Sequence, residues 1–207
     1  MQNDLIARHP SLAACIQPIQ DTVSLLIDSY TNGNKLLACG NGGSAADCEH
    51  IVGELMKGFM HARPVPVEDA HRFNDLGPHG DYLLKNLQKP LPAISLVSSV
   101  SLATAFANDV AADLIFAQQV YGLGNPGDVL FAISTSGSSK NIQYAVLTAK
   151  AMGLHTVGLT GSSGGVLRDL CDITIMPACD LTPDIQELHL PIYHYICKAV
   201  EQHFFGD

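Results

Sequence analysis

The chain has 207 residues, the size of one α/β domain with a full hydrophobic core. Asp and Glu outnumber Lys and Arg by 20 to 11, a formal charge of −9, so there is no basic footprint for neutralising nucleic-acid phosphates. With 47% hydrophobic and 15% charged residues, the composition is that of a folded chain and not of a disordered one.

The opening MQNDLIARHP has no basic patch followed by an apolar run, and no secretory leader is expected. Asp4 to Tyr30 is mostly helical in periodicity, with Pro10 and Pro18 as expected breaks. These N-terminal helices fill residues 1–33, and Asn32-Gly33-Asn34 makes the turn into a strand. Five β-rich runs follow: Lys35–Cys39, Ala93–Val97, Val129–Ser134, Thr156–Thr160 and Ile173–Met176. Continuous apolar runs such as VLFAIS suit strands buried on both faces. Most runs lead into a Gly/Ser-rich turn and then a helical pattern. The expected fold class is therefore α/β, a doubly wound five-stranded parallel sheet flanked by helices, in one domain over 1–207.

Between Met60 and Pro92, five prolines, three histidines and mixed charges leave little periodicity beyond one short helix at DYLLKNLQ. This 60–92 segment reads as an inserted loop: a lid, an oligomer arm or a tolerated surface insertion. Leu91 to Asn108 is uncharged but carries a proline and five hydroxyl residues, a poor membrane span. The six cysteines contain no C-x-x-C pair, and buried reduced thiols in a soluble, cytoplasmic protein are expected.

Three turns have the composition of anion cradles. Cys39 to Ala45, C-G-N-G-G-S-A, offers backbone N–H groups and a helix N-terminus to an anion without any Lys or Arg. Gly40, Gly42 and Ala45 also fit G-x-G-x-x-A, but no second strand ending in an acidic residue follows at the required spacing. A nucleotide-dependent dehydrogenase is thus the weakest reading. Ser134 to Ser139, S-T-S-G-S-S, places a hydroxyl at nearly every position before a helix near Lys140, more than capping requires, and is the favoured phosphate loop. Thr160 to Gly165 reads as structural.

His50 and Glu54 are four apart and share one helical face, about 6 Å along the axis. Such a pair can chelate a metal or set a base beside a proton donor, but on its own is more often a surface hydrogen bond. The last helix carries Gln186, Glu187, His189 and His194, with Pro191 expected to kink it. His189 and His194 fall on different faces; either one alone reads as an ordinary core or surface histidine.

Taken together, C-G-N-G-G-S, S-T-S-G-x-S and I-Q-E-x-H, in this order and on these elements, resemble the SIS (sugar isomerase) family and, within it, the phosphoheptose isomerase branch. The resemblance covers nearly the whole chain outside 60–92. It implies the SIS fold, assembled as a homotetramer with active sites at subunit interfaces. It implies an aldose–ketose isomerase that converts sedoheptulose 7-phosphate to D-glycero-D-manno-heptose 7-phosphate through an enediol. Glu54 matches the family's base and His194 its acid. Asn41, Gly42, Gly43, Ser44, Asn108, Asp109, Ser134, Thr135, Ser136, Ser139 and Gln186 match substrate contacts. His50, Glu54, Gln186 and His194 match a set for one zinc per subunit.

Two tensions accompany that carry-over. A carboxylate that ligates zinc is a weaker base. Gln186 and His194 are also about 12 Å apart along a regular helix, so sharing one metal needs a kink at Pro191, long reach or a neighbouring subunit. Two positions depart from the family: Asp184 stands where an Arg is usual, and Gly137-Ser138-Ser139 where Gly-Asn-Ser is common. The alternatives are a non-catalytic SIS sugar-phosphate sensor, or a protein-binding module like the replication initiator-associating proteins, which lack counterparts of Glu54 and His194. No nucleic-acid or membrane partner is expected.

Overall fold

The computed structural model describes residues 2–206. In chain order it runs α1 (Gln2–Arg8), a 3-10 stretch (Pro10–Cys15), α2 (Ile16–Thr31), β1 (Leu36–Gly40) and α3 (Gly43–Met56). Next come α4 (Val67–Ala70), a second 3-10 stretch (His71–Leu76), α5 (Pro78–Asn86), β2 (Ala93–Ser95) and α6 (Val100–Phe106). A π turn (Ala107–Ala111) and a short 3-10 turn lead to α7 (Ile115–Leu123), β3 (Val129–Ile133), α8 (Lys140–Ala151) and β4 (His155–Leu159). The chain finishes with α9 (Leu167–Leu170), β5 (Ile173–Ile175) and α10 (Thr182–Phe205).

The strands form one all-parallel sheet in the order β2-β1-β3-β4-β5, as their uninterrupted apolar runs require. Alternation along each strand divides the core between the two faces. Leu36, Ala38, Phe131 and Ile133 point to the side covered by α2, α3 and α10, where Leu26, Ile51, Ile192, Ile196 and Val200 are buried. Leu37, Cys39, Leu130 and Ala132 point to the side covered by α7 and α8, with Phe116, Val120, Ile142 and Val146. Both central strands, β1 and β3, are buried at every position, so the turns at their C-terminal ends have a rigid footing.

Several local expectations need correction. Pro10 opens a 3-10 stretch, but Pro18 breaks nothing: it lies in the first turn of α2, where its missing N–H has no intrahelical partner to lose. Pro191 lies inside α10, which runs from Thr182 to Phe205. The 60–92 segment is not a single loop with one helix. It folds into α4, a 3-10 stretch and α5, the last starting with Pro78 at its first helical position. An antiparallel bridge between Pro64 and Gln88 and the bond from Lys89 N–H to the Arg63 carbonyl (2.8 Å) close this excursion at its neck.

From Val100 to Leu123 the chain is one helical stretch that is long and apolar enough, by length and composition alone, to cross a membrane. It is mostly uncovered: Val100, Val110 and Tyr121 are each 66% exposed. The π turn interrupts it and carries Asn108 and Asp109.

Candidate active site

The first turn is built from glycines for steric reasons. Gly42 has φ +57°, a conformation other residues rarely adopt. At Gly43, a Cβ would collide with the side-chain amide nitrogen of Gln186, so that amide lies directly against the backbone at the head of α3. Asn41 exchanges two side-chain amide bonds with Asn141 (3.0 and 2.9 Å), tying this turn to the start of α8. Ser44 is buried behind it.

The second turn leaves the end of β3 with Ser134 buried and its Oγ 3.0 Å from Ser139 Oγ. Ser139 occupies the N-cap of α8 without a side-chain capping bond, so its hydroxyl is turned into the loop and not spent on the helix. Ser136 Oγ accepts from the Ser138 N–H (3.2 Å). Gly137 has φ +63° and stands where a Cβ would strike the Gly164 carbonyl. The third turn buttresses the second: the Gly161 N–H donates to the Thr135 carbonyl (2.9 Å), and the Leu167 N–H to the Gly137 carbonyl (3.0 Å). The structural role expected for Thr160 to Gly165 is what the geometry displays.

Further along α3 and α10, the two histidines and Glu54 converge. His50 Nε2 is 3.2 Å from Glu54 Oε1 and 3.4 Å from His194 Nε2; the two imidazoles meet edge to face at 4.9 Å. Glu54 is mostly covered, its side chain 14% exposed, while His50 is open to solvent. Burial lowers the His194 pKa below the usual histidine value; the neighbouring His50 and Lys198 push the same way and Glu54 pulls back. Burial thus favours the neutral imidazole of His194. It also lines a cavity of about 580 Å³ together with Arg8, His61, Glu187, Lys198 and Gln202.

Beneath Glu54 lies a buried ionic knot that the sequence did not announce. Arg63 and Glu201 are fully buried: Arg63 Nε donates to Glu201 Oε1 at 2.8 Å, and Nη2 makes an ion-pair contact with the same oxygen, also at 2.8 Å. Arg63 also donates to the carbonyls of Leu55 (2.7 Å) and Glu54 (3.3 Å), the orphan acceptors at the end of α3. Glu201 accepts from the Phe59 and Met60 N–H groups at 2.7 and 2.6 Å. Burial alone would raise the Glu201 carboxyl; those two amides and Arg63 outweigh it and hold the carboxyl below the usual range. The knot fastens the last turn of α3, which carries Glu54, to the helix that carries His194.

Not every expected site residue joins these groups. Asn108 and Asp109 are exposed on the π turn and bonded to each other (2.7 Å). Gln186 is held at Gly43, seven residues before His50 and so about 10 Å from it along α3. It therefore belongs with the turns and not with the His50–Glu54–His194 trio of the same chain. His189 is a core residue, its Nε2–H donating to the Thr160 carbonyl (3.0 Å) at the end of β4.

Among the described residues no three His, Cys, Asp or Glu side chains close into a ready-made metal cage. The trio is an open arc, but two of its edges, 3.2 and 3.4 Å, match the ligand-to-ligand spacing of about 3.3 Å implied by tetrahedral bonds of about 2.0 Å to zinc. Two imidazoles and a carboxylate are also suitable zinc donors.

The SIS domain family profile matches residues 11–83 and 83–161, its two pieces meeting inside the excursion. The chain belongs to the SIS family. This SIS-domain protein is 40% identical over 189 residues to the phosphoheptose isomerase of Synechocystis, covering 91% of this chain and 84% of that one. It superposes on the phosphoheptose isomerase structures from Neisseria gonorrhoeae (TM-score 0.76, 30% identity, 97% and 94% of the two chains) and Francisella tularensis (TM-score 0.78, 32% identity, 95% and 91%). The SIS fold, a five-stranded parallel sheet between helices, is therefore as the motifs implied.

Proposed function

We propose that this SIS-domain protein is a phosphoheptose isomerase, interconverting sedoheptulose 7-phosphate and D-glycero-D-manno-heptose 7-phosphate. The observation that carries the reading is the convergence of Glu54, His50 and His194 in a chain that also presents a hydroxyl-rich turn at the end of a buried parallel strand. The isomerisation moves one proton between C1 and C2 and one between the two oxygens, with no net redox change. Glu54, a covered carboxylate, takes the carbon-bound proton and returns it to the neighbouring carbon of the enediol. His194, whose neutral form burial favours, donates a hydrogen bond to the carbonyl oxygen and carries the oxygen-bound proton across.

Ser134, Thr135, Ser136 and Ser139 hold the phosphate with neutral donors, and the binding energy at that end serves orientation at the other. Asn41, Gly42, Gly43, Ser44 and Gln186 contact the sugar. One zinc per subunit, held by His50, Glu54 and His194, would polarise the substrate oxygens as a Lewis acid; Gln186 reaches such a metal only from a second subunit. The uncovered apolar stretch Val100–Leu123 supports a homotetramer in which Asn108 and Asp109 are presented to a neighbouring active site. The net charge of −9 and the absence of disulfides among the described cysteines fit a cytoplasmic enzyme.

The test is turnover of sedoheptulose 7-phosphate in D₂O, with deuterium followed at C2 of the aldose. Incorporation, lost by about 10²–10⁴-fold in Glu54→Gln and in His194→Ala without loss of fold, is the expected result. Binding without exchange would replace the enzyme by a sugar-phosphate sensor.

A further inference from the structure

The hydrogen bonds around Tyr193 determine which nitrogen of His50 carries its proton. Tyr193 is 2% exposed, so packing in the core fixes its ring. Its hydroxyl lies 3.2 Å from Asp47 Oδ1 and 3.0 Å from His50 Nδ1. The hydroxyl has one proton to give and lone pairs to receive. The Tyr193 hydroxyl donates that proton to Asp47 Oδ1. The remaining contact is satisfied only if His50 Nδ1–H donates to the Tyr193 oxygen.

In the neutral imidazole, His50 Nε2 is then a bare lone pair. It faces Glu54 Oε1 at 3.2 Å and His194 Nε2 at 3.4 Å. An imidazole lone pair and a carboxylate this close repel one another unless an electrophile lies between them. The arrangement is that of a ligating histidine whose far nitrogen is anchored to a carboxylate, with a tyrosine interposed.

We infer that Asp47 and Tyr193 are positioning residues that lock His50 in the Nδ1–H tautomer and aim Nε2, as an acceptor for a divalent cation, at the space shared with Glu54 and His194. The relay starts on α3 at Asp47, crosses to α10 at Tyr193 and returns to α3 one turn later at His50. It therefore also holds the two helices in register at the point where their functional groups meet. The inference rests on the reading of His50 as part of the active site, but its geometry stands independently of turnover.

The tautomer is read directly by long-range ¹H–¹⁵N correlation on the full-length labelled protein at mildly alkaline pH, where imidazoles are neutral, with the His50 signals assigned by their loss in His50→Gln. The wild type should show a protonated Nδ1 and a pyridine-type Nε2. Tyr193→Phe removes the acceptor, and Asp47→Asn lets the side-chain amide donate to the tyrosine oxygen, which turns the tyrosine proton toward Nδ1. In both variants the proton should move to Nε2. Zinc alone, titrated against a chromophoric chelator, should bind about 10–100-fold more weakly to each variant than to the wild type. A protonated Nε2 in the wild type would overturn the inference, as would variants that fold and keep both the wild-type tautomer and its zinc affinity. If the tautomer and zinc shifts appear while the wild type neither turns over sedoheptulose 7-phosphate nor exchanges deuterium, the relay stands and the isomerase reading falls.

Discussion

Replacing Arg63 by Met removes the cation from the buried knot while retaining the volume of an unbranched side chain. The Leu55 carbonyl keeps a partner, the Leu91 N–H at 3.0 Å, and Glu201 keeps two backbone amides. What is lost is the charge that compensates a fully buried carboxylate, together with the bond to the Glu54 carbonyl (3.3 Å) and the contact of the guanidinium over the Phe205 ring at 4.7 Å. Breaking a buried pair from one side costs about 3–5 kcal/mol. At about 2.1 cal/mol/K per residue, 207 residues give an unfolding entropy of about 0.43 kcal/mol/K, so Arg63→Met should melt about 7–12 °C below the wild type. Differential scanning calorimetry at equal protomer concentration is the assay, because association shifts Tm by mass action. Arg63→Met/Glu201→Gln, which removes the stranded charge but keeps an acceptor for the Phe59 N–H, should recover about half of the loss. A single variant within about 2 °C of the wild type, or a double variant less stable than the single, would refute the assignment of the knot as the clamp on α3.

Gly43→Ala would push the Gln186 amide aside, because only the flexible end of that side chain stands in the way. It should raise KM several-fold for the sugar phosphate with a change in Tm of only a few degrees; an unchanged KM would remove Gln186 from the substrate site. Burial lowers the His189 pKa, against a small upward pull from its bond to Thr160. The unfolded state then binds more protons in the window below about pH 6.5, so stability is retained above that value and lost as pH falls through it. Urea midpoints measured across that window should decline toward acid, and His189→Gln should flatten the decline. A slope unaltered by His189→Gln would assign it to other groups, the similarly lowered His194 among them.

The sheet was legible because its strands are buried on both faces, and a run such as Val129–Ile133 has no other soluble use. The helices of the excursion were not, because they bury almost nothing: among the residues of α4, the second 3-10 stretch and α5, Gly80 is the one fully buried position. Without an apolar face there is no period to read. At the site, His50 and Glu54 were readable as an i, i+4 pair because helical geometry alone brings them together. Tyr193, Asp47, Arg63 and Asn141 were silent because their partners lie 100 or more residues away in the chain. The role of His194 was visible through resemblance alone, and Pro191 lies within a 24-residue helix that runs on past it.

The neck of the excursion has a consequence for how such a protein can change. The chain departs at Pro64 and returns at Gln88, side by side, with Gln88 Oε1 accepting the Gly58 N–H at 2.6 Å. The residues between them lie outside both halves of the core, tied back at this bridge and by the Lys89–Asp69 ion pair at 2.9 Å. Lineages can lengthen, shorten or replace that appendage without renegotiating the sheet or the clamp on Glu54. Selection thus has a place to try new surfaces within reach of an unaltered reaction centre.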